Sequence, residues 1–370
     1  MTFRFLRNVL LKGLTLFFIL DLAFAALPAG LGKASLYNHL FTGRERFPFG
    51  EDSAQSYNLS LFDLDAMFAS HVIAAGPKPE DEYRVILIGD SSVWGTLLHP
   101  EDTLAGQLNA AGLTTCDGKK VRVYNLGYPT ISLTKDLMVL DDAMRYDPDL
   151  ILWGVTLEAF PADKQLTSPI VANNTARVDD LIARYHLLFR PDDPALVRPT
   201  FWDRTIIGQR RALADLIRLQ LYGVLWSATG IDQTYPADYT PAQYDLEADN
   251  SFHGMKPPAL DESQLAFDVL SAGISVAGDV PIIIFNEPML ISAGRNSDLR
   301  YNFFYPRWAY DQWRKSMADK AFQNGWQYLD LWNLIPDHSY YTNSAIHLTP
   351  AGEAILAGRL KEAIRAKRCQ

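Results

Sequence analysis

The sequence predicts an α/β protein in which a mainly parallel five-stranded sheet lies between two layers of helices. Short apolar runs alternate with helical segments at short spacing, which is the pattern of right-handed βαβ units. Several runs end in turn-forming residues, and the chain of 370 residues, 48% of them hydrophobic, can bury a large core. The predicted strands are residues 85–88, 121–126, 149–157, 280–285 and 326–331.

The first segment in chain order is an apolar run at residues 13–31, preceded by basic residues. Positive charge before such a run keeps the N-terminus in the cytoplasm and sends the rest across the membrane. About 20 apolar residues span a bilayer, so the run predicts an uncleaved anchor. The alternative is a signal peptide, because residues 23–25 (Ala-Phe-Ala) resemble a cleavage site. Either way the protein lies outside the cytoplasm, periplasmic or at the cell surface. Asp21 is a charge within the run and could mark a contact with another membrane protein.

Four units follow from this organisation. Residues 1–35 form the membrane anchor or signal segment, residues 36–80 a lead-in, residues 81–160 with 279–370 the α/β domain, and residues 161–278 an inserted helical cap. Residues 85–88 are consecutive aliphatics, too few for a helix and typical of a strand buried on both faces. Helices are predicted at residues 61–75, 103–111, 133–145, 176–185, 205–226, 262–277, 307–324 and 353–366.

The segment at residues 205–226 is the most apolar helix of the insertion, and it also carries arginines. Two placements stay open for it. Its apolar face can pack on the core sheet, as most such faces do. Alternatively the helix lies at the bilayer surface with its arginines on lipid phosphates.

Composition excludes several classes of function. The net charge of −9 argues against a nucleic-acid partner. The two cysteines, Cys116 and Cys369, predict neither a disulfide framework nor a cysteine zinc site. We expect no metal and no cofactor. A doubly wound domain can bind a nucleotide at its switch point, but the glycine-rich and Walker sequences of such sites are missing.

The first strand ends in Gly-Asp-Ser-Ser at residues 89–92. Glycine permits a sharp turn, and aspartate and serine favour turns and helix caps. Ser91 is therefore predicted at the carboxyl end of a buried strand and near a helix N-terminus, where open α/β sheets place ligands. Backbone N–H groups there can stabilise an oxyanion. The alternative is a purely structural cap.

Three motifs together resemble the SGNH (GDSL-type) hydrolase family: Gly-Asp-Ser at residues 89–91, Asn-Leu-Gly at 125–127 and His-Leu-Thr-Pro-Ala-Gly at 347–352. The resemblance implies a flavodoxin-like three-layer αβα sandwich. It implies Ser91 as nucleophile and His347 as base, with His338 in reserve, and the N–H groups of Ser91 and Gly127 as oxyanion donors. The anchor and the cap further resemble membrane-tethered SGNH-like proteins that work beside membrane-bound O-acyltransferases on cell-surface polymers.

Two positions depart from the family pattern. Thr156 stands where an asparagine oxyanion donor is expected, and Asn286 is a possible substitute. Ser344 stands where the family has an aspartate three residues before the histidine. Its neighbour Asn343 can orient an imidazole but cannot stabilise imidazolium as a carboxylate does. Other candidates for this support are Asp90 and Asp337.

Two functions therefore remain open. The first is an extracytoplasmic Ser/His-dependent acyl-ester hydrolase or O-acyltransferase acting on a cell-surface glycan or acyl ester. The second is a catalytically impaired SGNH-like binding or delivery subunit for a membrane-bound O-acyltransferase. The surviving nucleophile and base favour the enzyme, while the two altered positions favour the subunit.

Overall fold

Five strands form one parallel sheet in the computed structural model, which describes residues 2–26, 30–33, 35–49, 62–229 and 239–367. The strands are β1 (Glu82–Ile88), β2 (Lys120–Asn125), β3 (Leu150–Val155), β4 (Ile282–Asn286) and β5 (Gln327–Asp330). Their order is β2-β1-β3-β4-β5, and every neighbouring pair is parallel. This is the flavodoxin-like order, with its switch point between β1 and β3. The predicted fold class is confirmed.

The α-helices of the described residues are α1 (Phe3–Ala26), α2 (Leu36–Leu40), α3 (Leu64–Ser70), α4 (Ser91–Trp94), α5 (Leu104–Ala110), α6 (Leu133–Ala143), α7 (Pro169–Ala172), α8 (Thr175–Tyr185), α9 (Arg210–Thr229), α10 (Phe267–Ala277), α11 (Arg307–Asn324) and α12 (Pro350–Lys367). The prediction for α11 matches at both ends. Predicted helices 205–226 and 262–277 begin five residues too early, because a turn precedes α9 and a short 3-10 helix at Glu262–Gln264 precedes α10.

The sheet is buried on both faces by separate cores. Side chains alternate along β1: Ile86 and Ile88 join the core that includes α6, α10 and α11, whereas Val85 and Leu87 join the core that includes α5 and α12. All four are fully buried. Alternate side chains of a strand point to opposite faces, so an unbroken aliphatic run is what a central strand requires.

Helix α10 belongs to the layered sandwich, although the sequence placed it in the insertion at residues 161–278. A Cβ on Gly273 would lie 2.3 Å from the Trp153 ring of β3, so only glycine allows this close approach. A parallel connection from β3 to β4 needs a crossover element, and α10 directly precedes β4. That the rest of the insertion forms a separate cap stays a proposal.

Helix α1 is long and apolar enough to cross a membrane, with a mean hydropathy of 2.0 over its 18-residue window. Asp21, near the end of α1, is buried and accepts a hydrogen bond from the Ile207 N–H at 3.1 Å. The partner of Asp21 is thus this chain itself, whereas the sequence indicated another membrane protein.

Cys116 is disulfide-bonded. The sequence has one other cysteine, Cys369, which lies outside the described residues. The low cysteine count predicts no disulfide framework, and a single bridge is consistent with that prediction.

Candidate active site

Ser91 is the first residue of α4, directly after the turn that ends β1. Asp90 caps this short helix, because its carboxylate accepts a hydrogen bond from the Ser92 N–H at 2.8 Å. Gly95 ends the helix in the left-handed region at φ 88°, which glycine adopts at little cost. The hydroxyl of Ser91 is therefore held at the carboxyl edge of the sheet.

The Asn-Leu-Gly motif after β2 packs directly against α4. Asn125 Nδ2 donates to the Val93 carbonyl at 2.8 Å. A Cβ on Gly127 would lie 2.6 Å from the backbone nitrogen of Trp94. This turn can therefore approach α4 so closely only because residue 127 is a glycine. The motif thus fixes the position of the helix that carries Ser91.

His347 reaches Ser91 from the opposite end of the domain. Its Nε2 lies 2.8 Å from Ser91 Oγ, although 256 positions separate the two residues in sequence. The Thr342 N–H donates to the His347 carbonyl at 2.9 Å and closes a tight loop just before α12. The structure therefore brings together the two residues named from the motifs as nucleophile and base.

The same loop places Asn343 against the imidazole. Asn343 Oδ1 lies 2.7 Å from His347 Nδ1. An amide oxygen only accepts hydrogen bonds, so Nδ1 carries the proton and Nε2 is left to accept from the Ser91 hydroxyl. Desolvation lowers the pKa of His347 to about 4. The imidazole is neutral at physiological pH, as a general base must be.

No protein-family model matches the chain, and no curated protein matches it. Among solved structures, the chain is similar to a member of the lipolytic protein G-D-S-L family from Veillonella parvula DSM 2008, at 10% identity over 75% of this chain and 96% of that chain, with a TM-score of 0.38. It is also similar to the M. smegmatis aryl esterase, at 14% identity over 76% and 98% of the two chains and a TM-score of 0.35. It is similar as well to a carbohydrate acetylesterase family member from Sinorhizobium meliloti, at 14% identity over 77% of this chain and 98% of that chain, with a TM-score of 0.35.

The structure has the flavodoxin-like sheet order, with a serine after β1, an Asn-Leu-Gly turn after β2 and a histidine just before the last helix. These are the three motifs by which the sequence resembles the SGNH hydrolases. All three motifs converge on one edge of the sheet.

Two of the oxyanion donors expected from the SGNH pattern are engaged within the protein. The Gly127 N–H donates to Asn125 Oδ1 at 3.0 Å. The Thr156 hydroxyl, which is buried, is hydrogen-bonded to the Tyr305 hydroxyl. The third, the Ser91 N–H, lies in the first turn of α4, where helix geometry leaves backbone donors without intrahelical acceptors.

Asn286 cannot serve as the substitute donor, contrary to the expectation from the sequence. Its side-chain amide donates to Asp330 Oδ1 at 2.8 Å, and its oxygen accepts from the Tyr310 hydroxyl at 3.0 Å. The side chain is fully buried, so both halves of the amide are committed to the α11–β5 side of the sheet.

Of the carboxylates named as possible support for His347, neither takes that role. Asp90 caps α4, and Asp337 is exposed and accepts from the Ser339 N–H at 2.9 Å. Ser344 is buried beside Asn343. His338, the reserve base, packs edge-on against Tyr244 with ring centroids 5.0 Å apart. Asn343 alone orients the imidazole among these candidates.

Two buried glutamates behind α4 escaped prediction. The Ser92 hydroxyl donates to Glu287 Oε1 at 2.6 Å, and Glu287 and Glu353 line one small cavity. Burial raises the pKa of Glu287 well above its usual value and that of Glu353 to about 8. Burial thus favours the uncharged form of both side chains behind Ser91. In the sequence, the only sign of a role for either residue is that Glu287 directly follows a buried strand.

Lys135 is a second feature that the sequence did not reveal. This fully buried ammonium donates to the Gly89 carbonyl at 2.5 Å and pairs with Asp136 Oδ1 at 2.5 Å. Burial raises the pKa of Asp90, and the charge of Lys135 opposes that rise. Lys135 thus anchors the turn that precedes Ser91 and offsets the acidic groups around it.

We predict that His347 titrates far below the ordinary pKa of a histidine, as the buried His71 also should. Burial disfavours the charged imidazole and Asn343 supplies no compensating charge, so its NMR titration midpoint should lie near 4, against an ordinary 6.5. Asn343→Asp should raise this midpoint, because a carboxylate stabilises imidazolium. The His347→Gln spectrum assigns the resonance, and circular dichroism checks folding at each pH. A titration midpoint above 6 in the unmutated protein, or the same midpoint in Asn343→Asp, would contradict the burial of His347 and its contact with Asn343.

Proposed function

We propose that this protein is a serine-dependent acyl-ester hydrolase or O-acyltransferase that works outside the cytoplasm on a cell-surface glycan or acyl ester. The observation that carries the proposal is the Ser91–His347–Asn343 arrangement, with its contacts of 2.8 and 2.7 Å. A serine hydroxyl is a weak nucleophile until a base takes its proton, and the base needs a third group to orient it. The nucleophile, the base and the group that orients the base all lie at one edge of the sheet.

The first step forms an acyl-enzyme. Ser91 Oγ attacks the carbonyl carbon of the ester, and His347 Nε2 accepts the hydroxyl proton. The Ser91 N–H, in the first turn of α4, is the donor that remains for the carbonyl oxygen as it gains negative charge. When the tetrahedral intermediate collapses, the imidazolium returns the proton to the departing alcohol and the ester bond breaks.

The second step removes the acyl group from Ser91. His347 takes a proton from an acceptor hydroxyl, which attacks the acyl carbonyl, and Ser91 recovers its proton from the imidazolium. Water as acceptor gives hydrolysis, and a glycan hydroxyl gives transfer. Both outcomes use the same residues, so they differ only in what occupies the acceptor position.

Asparagine as the third member of the triad has a known precedent in chemistry of this type. Papain-like proteases use a Cys-His-Asn arrangement, so an amide oxygen can select the required tautomer. An amide oxygen does not stabilise the imidazolium electrostatically as a carboxylate does. We therefore expect His347 to accept the proton more slowly beside Asn343 than it would beside an aspartate.

The competing proposal is a delivery subunit for a membrane-bound O-acyltransferase. The engaged Gly127 and Thr156 donors favour it, since losing one oxyanion donor typically costs about 10²–10³ in rate. We favour the enzyme because Ser91 and His347 meet at hydrogen-bonding distance, which a binding subunit does not need.

Location outside the cytoplasm is supported by two features of the chain. Helix α1 has the length and hydropathy of a membrane span and carries its basic residues, Arg4, Arg7 and Lys12, in its N-terminal half. Cys116 is disulfide-bonded, and disulfides persist in oxidising compartments. We therefore propose that α1 anchors the α/β domain on the periplasmic or outer side.

Ser91→Ala should abolish hydrolysis of an activated acetyl ester while the melting temperature stays unchanged. His347→Ala should lose a similar factor, and the double variant should be little worse, because groups that act as one unit are not additive. Ser92→Ala is the matched control, since its hydroxyl contacts Glu287 and not His347. It should keep most of the activity. Retained activity in Ser91→Ala, or losses that multiply in the double variant, would exclude the Ser–His pair.

Membrane topology can be tested independently of activity. A reporter fused after Gln370 should be active only outside the cytoplasm, and the protein should remain with membranes after a high-salt wash. N-terminal sequencing of the mature protein distinguishes the two forms: a start at residue 26 would mean that α1 is a cleaved signal. A cytoplasmic reporter would overturn the proposed location.

A further inference from the structure

Helix α9 presents an apolar stripe to solvent. Ile217, Leu221 and Leu225 are 57%, 65% and 55% exposed, and they follow one another every four residues along one side of the helix. Leu219, on the opposite side, is fully buried in the core. Packing on the core therefore explains one face of α9 and leaves the stripe uncovered within the described residues.

Arginines share the exposed side of α9. Arg210, Arg211 and Arg218 are all exposed, and Arg218 pairs with Asp215 at 2.8 Å. Counted at 3.6 residues per turn, Arg211 and Arg218 border one edge of the Ile217–Leu221–Leu225 stripe, and Arg210 lies in line with it at the start of the helix. A helix that combines aliphatic residues with arginines on its outer side is typical of the membrane interface, where apolar groups enter the acyl chains and guanidinium groups bind lipid phosphates.

Helix α1 ties this region to the proposed membrane anchor. Its 24 residues are about 36 Å long, enough to cross a hydrocarbon core of about 30 Å. Asp21 lies in the last third of α1, five residues or about 7.5 Å before its end. The Ile207 N–H binds its carboxylate at 3.1 Å. This contact holds the turn before α9 at the depth of the outer end of α1.

The side chains of this turn suit that depth. Trp202 is 69% exposed, Phe201 is 38% exposed, and their rings are in edge contact. Aromatic residues, tryptophan above all, are enriched at the membrane–water interface. Ile207 is 48% exposed, and α9 begins three residues later, so the helix starts from the interface.

We propose that α9 and the turn at residues 201–207 bind the outer surface of the bilayer. Ile217, Leu221 and Leu225 enter the boundary of the acyl chains, and the arginines contact lipid phosphates. The inference rests on the proposed anchoring by α1, which also supplies a high effective lipid concentration. Two attachments fix the orientation of the α/β domain, so its active site takes substrate from a defined height above the membrane.

The test uses the full-length chain in nanodiscs of phosphatidylcholine and phosphatidylglycerol. A bimane fluorophore is attached through Leu221→Cys in α9, through Leu14→Cys in α1, or through Phe322→Cys in α11, whose side chain is 90% exposed. Nitroxide-labelled lipids and aqueous iodide quench the label from the two phases. We expect the labels at 221 and 14 to lose fluorescence with nitroxide lipids and to resist iodide, and the label at 322 to show the reverse.

The three positions separate the possible failures. If the label at 14 is quenched by lipid while that at 221 behaves like 322, α9 faces water and the inference is wrong. Protection of 221 from both quenchers would identify a protein surface on α9 instead of lipid and would also overturn it. If the label at 14 is not quenched by lipid, the proposed anchor fails and the inference fails with it.

Discussion

The 2.8 Å contact between Ser91 and His347 depends on three separate parts of the chain meeting at one edge of the sheet. The turn after β1 presents the hydroxyl, the Asn125–Gly127 turn after β2 holds α4 in place, and the loop before α12 delivers the imidazole. In a parallel sheet the carboxyl ends of β1 and β2 meet at the same edge. The fold therefore supplies the proximity that the sequence separation of 256 positions conceals.

Charge around this contact is balanced by burial as well as by pairing. Lys135 lies beneath the turn that precedes Ser91 and offsets the charges of Asp90 and Asp136. Burial raises the pKa of Asp136 to about 6. For Glu287 and Glu353, burial also raises the pKa, which favours the uncharged carboxyl. Unpaired carboxylates behind α4 would oppose the negative charge that an acyl transfer develops at Ser91. Their neutral state is thus compatible with the proposed chemistry.

The sequence predicted what local patterns can encode. Buried parallel strands need aliphatic runs, so all five strands were found, and residues 89–91 and 347–352 led directly to Ser91 and His347. Contacts between distant segments left no such pattern. Asn343 was one of several candidates, and only the closed loop at residues 342–347 selects it. Lys135 and Glu287 are ordinary charged residues in sequence, and burial alone gives them a role. Asn286 is placed correctly after β4, but Tyr310 and Asp330 engage its side chain.

We propose that Ser91 is a nucleophile activated by His347. The most direct measurement is mass spectrometry of the full-length protein after reaction with a fluorophosphonate, which forms a stable adduct only with an activated serine. We expect one adduct on the peptide that contains Ser91, and a greatly reduced yield of that adduct in His347→Ala. Absence of an adduct from the folded protein, or equal labelling in His347→Ala, would contradict the account and favour a binding or delivery subunit.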